Sequence, residues 1–412
     1  MHSDTAASAP SPNAFSHRPF LFYWLSRVLG TFAVQIVSVS VGWTVYAITR
    51  DPLSLGIVGL VQFLPSLALV MFTGTVADKY SRRRIMALCL MVELACALAL
   101  LVLATGADAA VWPIYVTLAV LGVARAFFAP AMQALVPNLV PPVALANAVS
   151  LNTASWQIAT ITGPVAGGLL YGLSPEAAYG TAAFMFVAAM VCLAAVPKQP
   201  RSAPREESTW DAFNAGFRYV FSTPIVLGAI SLDLFAVLLG GAVAMMPVYA
   251  TDILAIGPTG LGLMRAAPGV GALVVAGLLA LRPITSHAGL WMFLAVAAFG
   301  LATIVFGLST TPALSIAMLA AMGATDMVSV YVRETLIQLA TPDDVRGRVN
   351  AVNMVFVGAS NELGEFRAGV MAALIGVVPA VVIGGAGTVA VSALWARWFP
   401  ALRTVQRLDR IG

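Results

Sequence analysis

Charge is scarce in this chain of 412 residues: Asp, Glu, Lys and Arg together make up 10% of it, less than half the share usual in a soluble domain. The only lysines are Lys79 and Lys198, and no G-x-x-x-x-G-K-[ST] loop occurs, which excludes a P-loop nucleotide hydrolase. The three histidines (His2, His17, His287) and three cysteines (Cys89, Cys96, Cys192) are too few and too scattered for a metal-ligand set or a disulfide framework. No H-E-x-x-H pair and no Ser/His constellation stands in the apolar segments. The reading is therefore of a protein that is not an enzyme and carries neither metal nor cofactor.

What the chain has instead is apolar surface. It is 60% hydrophobic with a mean hydropathy of +0.92, which places it among integral membrane proteins. A bilayer core of about 30 Å needs roughly 20 apolar residues per helix. Runs of that kind lie near 20–48, 53–77, 85–105, 111–133, 145–171, 176–196, 224–250, 259–281, 289–308, 312–334, 348–374 and 378–399. With the N-terminus inside, sixteen of the 22 Lys and Arg residues fall in inner loops and tails, Arg82–Arg84 among them, and only Arg50 falls in an outer loop. Positive-inside asymmetry thus predicts both termini in the cytoplasm. The pI of about 9.1 follows from that orientation, so no nucleic-acid partner is expected; the partner is the lipid bilayer.

The longest polar break, Pro197 to Pro224, divides six predicted spans from six. The organisation expected is a disordered tail over 1–19, a bundle over 20–196, a linker over 197–223, a second bundle over 224–399 and a basic tail over 400–412. Within the linker, Trp210 to Phe221 reads as an amphipathic helix on the inner surface. Sliding the chain on itself by 201 positions pairs Pro141 with Pro342, Asn152 with Asn353, Gly163 with Gly364, Gly168 with Gly369 and Gly122 with Gly323. A half-chain repeat of this kind is what secondary transporters built from two similar bundles show.

Two motifs carry mechanism. "GTVADKYSRRR", from Gly74 to Arg84, supplies a small residue for close helix packing, an acid (Asp78) at an inner helix end, and arginines for the cytoplasmic face. "GPVAGG", from Gly163 to Gly168, lets a neighbouring helix approach while Pro164 bends its own. The first resembles the signature loop of the major facilitator superfamily, G-x-L-A-D-R-x-G-R-K, with Val76, Lys79 and Ser81 as departures. The resemblance implies that Gly74, Asp78, Arg82 and Arg83 gate, the Asp latching the outward-facing state against the start of helix eleven. The second is similar to the end of the superfamily's antiporter motif, with Ala159 where the fuller motif has Gly, and it implies export. "GPTGLGLMRAAPGVGA", "TPDDVRGRVNAVN" and "SNELGEFRAG" extend the resemblance over about Phe20 to Leu402, to the branch of drug and siderophore exporters that includes enterobactin exporters and macrolide efflux proteins. It implies an all-α membrane protein with twelve transmembrane helices in two pseudo-symmetric six-helix bundles, set as a monomer in a bacterial inner membrane.

The charges that remain inside the spans are the candidate site. Each isolated charge at a helix centre costs roughly 2.5 to 3.5 kcal/mol, so Glu362, Glu365 and Arg367 unpaired would cost about 8 to 10 kcal/mol. They must face protein or water. At 100° per residue Glu362 and Glu365 share one face, while Arg367 points away from both and is predicted to pair with another helix. Two carboxylates on one face of a low-dielectric cavity repel, which favours a proton on at least one and makes them the predicted proton site; an ion-pair network that merely closes the bundle is the other reading. The repeat maps Arg125 onto Asp326, a candidate pair across the halves, and Arg125 also resembles the helix-four arginine linked to proton coupling. Asp233 and Arg27 stand within the inner third of their spans as further candidate cavity residues. The function expected is proton-driven export of a lipophilic drug or siderophore-like small molecule; an uptake permease of the same fold and a transport-dead receptor or scaffold are the competitors.

Overall fold

The computed structural model describes residues 11–106, 110–197 and 209–405, all in helices and connecting turns, with no strand among them. Its helices are α1 (Arg18–Thr49), α2 (Pro52–Lys79), α3 (Arg82–Thr105), α4 (Trp112–Leu135), α5 (Pro142–Leu173), α6 (Pro175–Ala194), α7 (Thr209–Ser222), α8 (Pro224–Gly240), the single turn α9 (Met246–Val248), α10 (Gly257–Leu281), α11 (Ala288–Leu308), α12 (Pro312–Ala340), α13 (Asp343–Ile375), α14 (Val377–Trp398) and the short α15 (Pro400–Arg403). Proline opens many of them, where its missing N–H costs no hydrogen bond and its fixed φ suits the first turn. At Asp51 and Ser174 a side-chain oxygen accepts from Leu53 N–H and Ala177 N–H, capping α2 and α6.

Ten segments among the described residues are long and apolar enough to cross a membrane. The two long helices that fall outside that set are α5 and α13, 32 and 33 residues in length, and these are the pair that the 201-residue repeat superimposes. The seventh crossing is discontinuous: α8 stops at Gly240, and the chain continues through a 3-10 turn (Val243–Met245), α9 and a π-helical turn (Tyr249–Ile253).

Helices α1–α6 pack mainly on one another, as do α8 and α10–α14, and the two bundles meet chiefly along α5 with α10 and α2 with α13. The repeated glycines explain why. Gly163 meets the Gln35 side chain of α1, and its counterpart Gly364 meets the backbone of Val237 and Leu238 in α8. Gly168 packs on Pro258 and Gly262 of α10, and its counterpart Gly369 on Gly56 and Pro52 of α2. Gly122 lies on Gln62 of α2, and Gly323 on Pro268 of α10. The first and last pairs repeat one contact within each half, and Gly168 and Gly369 repeat one contact across the halves, so the repeat is a pseudo-two-fold of packing.

Two expectations about the terminal segments change, and the expected linker helix over Trp210–Phe221 forms, as Thr209–Ser222. Residues 11–17 belong to the folded body rather than to a disordered tail: Asn13 caps a turn over Ala14–Ser16, and the buried Ala14 donates its N–H to Asn147 Oδ1 at 2.9 Å. At the other end Leu402 is buried, and Val405 C=O accepts from Gly289 N–H at 3.2 Å. The linker helix α7 docks on the second bundle: Tyr219 donates to Ala340 C=O at 2.5 Å, and Phe217 stacks on Phe356. Residues 1–10, 198–208 and 406–412, the rest of the expected tails and linker, lie outside the described residues.

Candidate functional site

The close approaches between bundles lie in the halves of the helices remote from the termini: residues 38–63 and 161–172 of the first bundle against 245–269 and 358–369 of the second. At the rim of this closed end, Asp252 in the π-helical turn receives the Tyr46 hydroxyl and forms an ion pair with Arg50 at 3.0 Å. Arg50 also lies over the Tyr46 ring, 5.8 Å from its centroid. One acid thus ties the end of α1 to the seventh crossing.

Deeper in the same interface stand Glu362 and Glu365. Their Oε2 atoms lie 3.0 and 3.2 Å from the point where a β-carbon on Gly59 of α2 would be, so both carboxylates rest against a helix backbone that only glycine leaves open. Two arginines flank them. Arg265 of α10 donates to Ser38 Oγ at 2.9 Å and stands within electrostatic range of Glu365 and Glu362. Arg125 of α4 donates to Gln62 Oε1 at 3.4 Å and is within range of Glu93 and Glu362. Among the described residues no ion pair within 4.0 Å joins either arginine to either glutamate. The four groups therefore share charge without locking one partner to another, an arrangement that a proton or a charged ligand can rebalance.

Arg367 faces elsewhere. It donates to Leu239 C=O at 2.5 Å and to Met371 Sδ at 2.9 Å. Leu239 is the penultimate residue of α8, whose last carbonyls have no helical partner. Arg367 caps the negative end of the interrupted helix, so the other helix it joins offers a carbonyl rather than an acid.

The repeat-equivalent Arg125 and Asp326 are not brought together. Asp326 faces Asp233 and Arg333 in a pocket inside the second bundle, between α8, α11 and α12, where Asp233 and Arg333 form a buried ion pair. Pseudo-symmetry gives equivalent residues equivalent surroundings in separate bundles; it does not place them in contact. Arg27 donates to Asn152 C=O of α5 at 2.6 Å, a link within the first bundle and outside the glutamate cluster.

In the signature loop, Arg82 donates to Ala134 C=O at 2.7 Å and Arg83 to Ala194 C=O at 2.8 Å, so both close helix C-terminal ends in the first bundle. Asp78 is in the last turn of α2, and its side chain lies outside the described residues. Gly74 has nothing within 4 Å of its missing β-carbon, so the close packing expected there is absent. In α5, Pro164 sits inside the helix, its carbonyl against Gly262, while Gly167 lies on Ile36 of α1. Sequence reasoning passed over Gly59, Ser38, Asp252 and the partnership of Arg265 with the glutamates. The one signal for Arg265 was its isolation in an apolar span.

Comparison with known proteins agrees with this architecture. The chain is 26% identical over 352 residues to the enterobactin exporter EntS of Shigella dysenteriae serotype 1, covering 82% of this chain and 81% of the relative. It is 27% identical to that of Shigella boydii serotype 18 over the same shares. Among solved structures, a bacterial homologue of the human lysosomal transporter Spinster, inward-facing and unoccupied, superimposes with a TM-score of 0.69 at 14% identity over 94% of this chain and 96% of its own. The nucleoside transporter NupG gives 0.67 at 15% identity, over 92% and 99%. The family model described as transmembrane secretion effector matches residues 7–411. The chain belongs to the transmembrane secretion effectors of the major facilitator superfamily, and it is a multi-pass membrane transporter.

Proposed function

We propose that this transporter exports a lipophilic drug or a siderophore-like small molecule across a bacterial inner membrane, by proton antiport and as a monomer, with both termini in the cytoplasm. The observation that carries the proposal is the pair of glutamates seated on Gly59 between two arginines, where α2 and α13 of the two bundles meet. Carboxylates held together in low dielectric retain a proton when the cavity is closed to water, and release it when water or a ligand reaches them. With the termini inside the cell, the described state is open to the cytoplasm and closed outside; the unpacked Gly74 supports that reading. In it, Asp78, Arg82 and Arg83 act in gating, and the glycines and proline of α5 favour antiport.

Siderophore cargo is favoured by the enterobactin exporters among the relatives, and a lipophilic drug by the apolar walls of the spans. Uptake of lipophilic dyes and of enterobactin into inverted vesicles, driven by an acid interior, tests direction and cargo class together. Accumulation that a protonophore abolishes supports export by antiport; uptake indifferent to the gradient for every compound overturns it.

A further inference from the structure

The pocket inside the second bundle holds ionisable groups that the glutamate cluster does not use. Asp326, Ser329 and Arg333 lie along one face of α12: at 100° per residue Asp326 and Arg333 are about 20° apart, with Ser329 one turn from each. Side chains on a helix lean toward its N-terminus, so Arg333 reaches back toward Ser329 and Asp326. Asp233 enters from α8 opposite this stripe and holds Arg333 in an ion pair in which both side chains are under 10% exposed. Among the described residues Asp326 has no ion-pair partner within 4.0 Å. Ser329 is 2% exposed, lines the pocket, and its Oγ has no hydrogen-bond partner.

Among the described residues that line this pocket, Asp233 and Asp326 are the charged ones. Its α11 wall is apolar, formed by Ala295, Val296 and Phe299. Helix α10 meets α12 through Pro268 and Gly271, against Gly323 and Ala320. Glu334 stands 3.7 Å from Arg333 Nε, but its Oε1 accepts from Asn353 of α13 at 2.9 Å. Two aspartates therefore face one arginine in a buried space, and the unpartnered hydroxyl of Ser329 lines the same pocket. Two ionised carboxylates beside one guanidinium leave an uncompensated charge in low dielectric, which costs several kcal/mol. One bound proton removes it.

We propose that Asp326 is a proton site of the second bundle and that Arg333 is shared between Asp326 and Asp233, holding one carboxylate while the other carries the proton. In the described state Arg333 holds Asp233, and Asp326 is the acid, lining the same pocket as Ser329. When Arg333 passes to Asp326, the Asp326 O–H bond breaks, Asp233 takes up one proton, and the three groups together keep the same charge. The assignment draws on the antiport reading for the use made of the proton, while its geometry is independent of Glu362 and Glu365.

The test is difference infrared spectroscopy on the full-length protein in liposomes, between acid and alkaline buffer, read at the carboxylic-acid C=O stretch. Asp326→Asn removes one band. Asp233→Asn removes the same band although Asp326 is intact, because Arg333 is then free to hold it ionised. A spectrum unchanged by Asp326→Asn, or an Asp326 band that persists in Asp233→Asn, overturns the assignment. Glu362→Gln and Glu365→Gln leave the band in place whether or not they stop transport, so failure of the glutamate reading is seen separately in flux.

Discussion

Glu362 Oε2 stands 3.0 Å from the point where Gly59 would carry a β-carbon. The atoms nearest a methyl group there are the carboxylate ends of two side chains, so Gly59→Ala is expected to fold normally and to displace both carboxylates by a few tenths of an ångström. Proton-coupled flux should fall at least about tenfold, equivalent to roughly 1.4 kcal/mol in the rate-limiting barrier, with thermal stability close to wild type. Flux assays in liposomes beside a thermal-shift measurement check both halves of the expectation.

The contact of Gly369 with Gly56 and Pro52 is different in kind, because a β-carbon on Gly369 would stand 2.9 Å from Gly56 Cα and 3.0 Å from Pro52 C=O. Backbone cannot yield as a side chain does. Gly369→Ala should therefore hold α2 and α13 apart at the end remote from the termini and raise solvent accessibility there. Gly74→Ala, facing open space in this state, should change stability by less than about 0.5 kcal/mol and should slow transport through the opposite state. Alkylation of single cysteines at each end of the bundle reads both effects.

How much of this was legible in the sequence follows from what each feature depends on. The membrane class, the helical crossings and the repeat depend on composition and spacing, and the chain displays them directly. The Gly and Pro of "GPVAGG" and "SNELGEFRAG" announced the α5 and α13 interfaces, because close helix approach needs small residues wherever it occurs. Partners of buried charges depend instead on which helix faces which, and a repeat offset carries no such information. Arg125 and Asp326 are related by symmetry yet face different acids. Arg265 of α10 comes within range of Glu365 of α13 through the folding of the second bundle, which no spacing in the chain records. The break at Gly240 was hidden inside a continuous apolar run, and with it the reason for Arg367.

Arg367→Gln should act on stability. Losing a charged donor to the freed Leu239 carbonyl is expected to cost about 1.5 to 3 kcal/mol, seen as a lowered midpoint in thermal unfolding, with the ratio of protons to cargo unchanged. A changed ratio at wild-type stability would assign Arg367 to coupling.

The Arg50–Asp252 pair lies at the rim, with its side chains 60% and 43% exposed, so it is worth no more than about 1 kcal/mol. Asp252→Asn should shift the balance of states by at most about fivefold toward opening of that end. Distance measurements between spin labels at the far ends of α2 and α10 report the shift, and it should shrink in high salt.

The most direct test of the central claim is proton movement coupled to cargo in liposomes containing wild type, Glu362→Gln or Glu365→Gln at equal protein content. The account predicts that wild type moves protons against cargo flux, and that each substitution abolishes the proton movement and gradient-driven export while the protein remains folded. Wild-type coupling in both variants would contradict it and remove the glutamates from the mechanism.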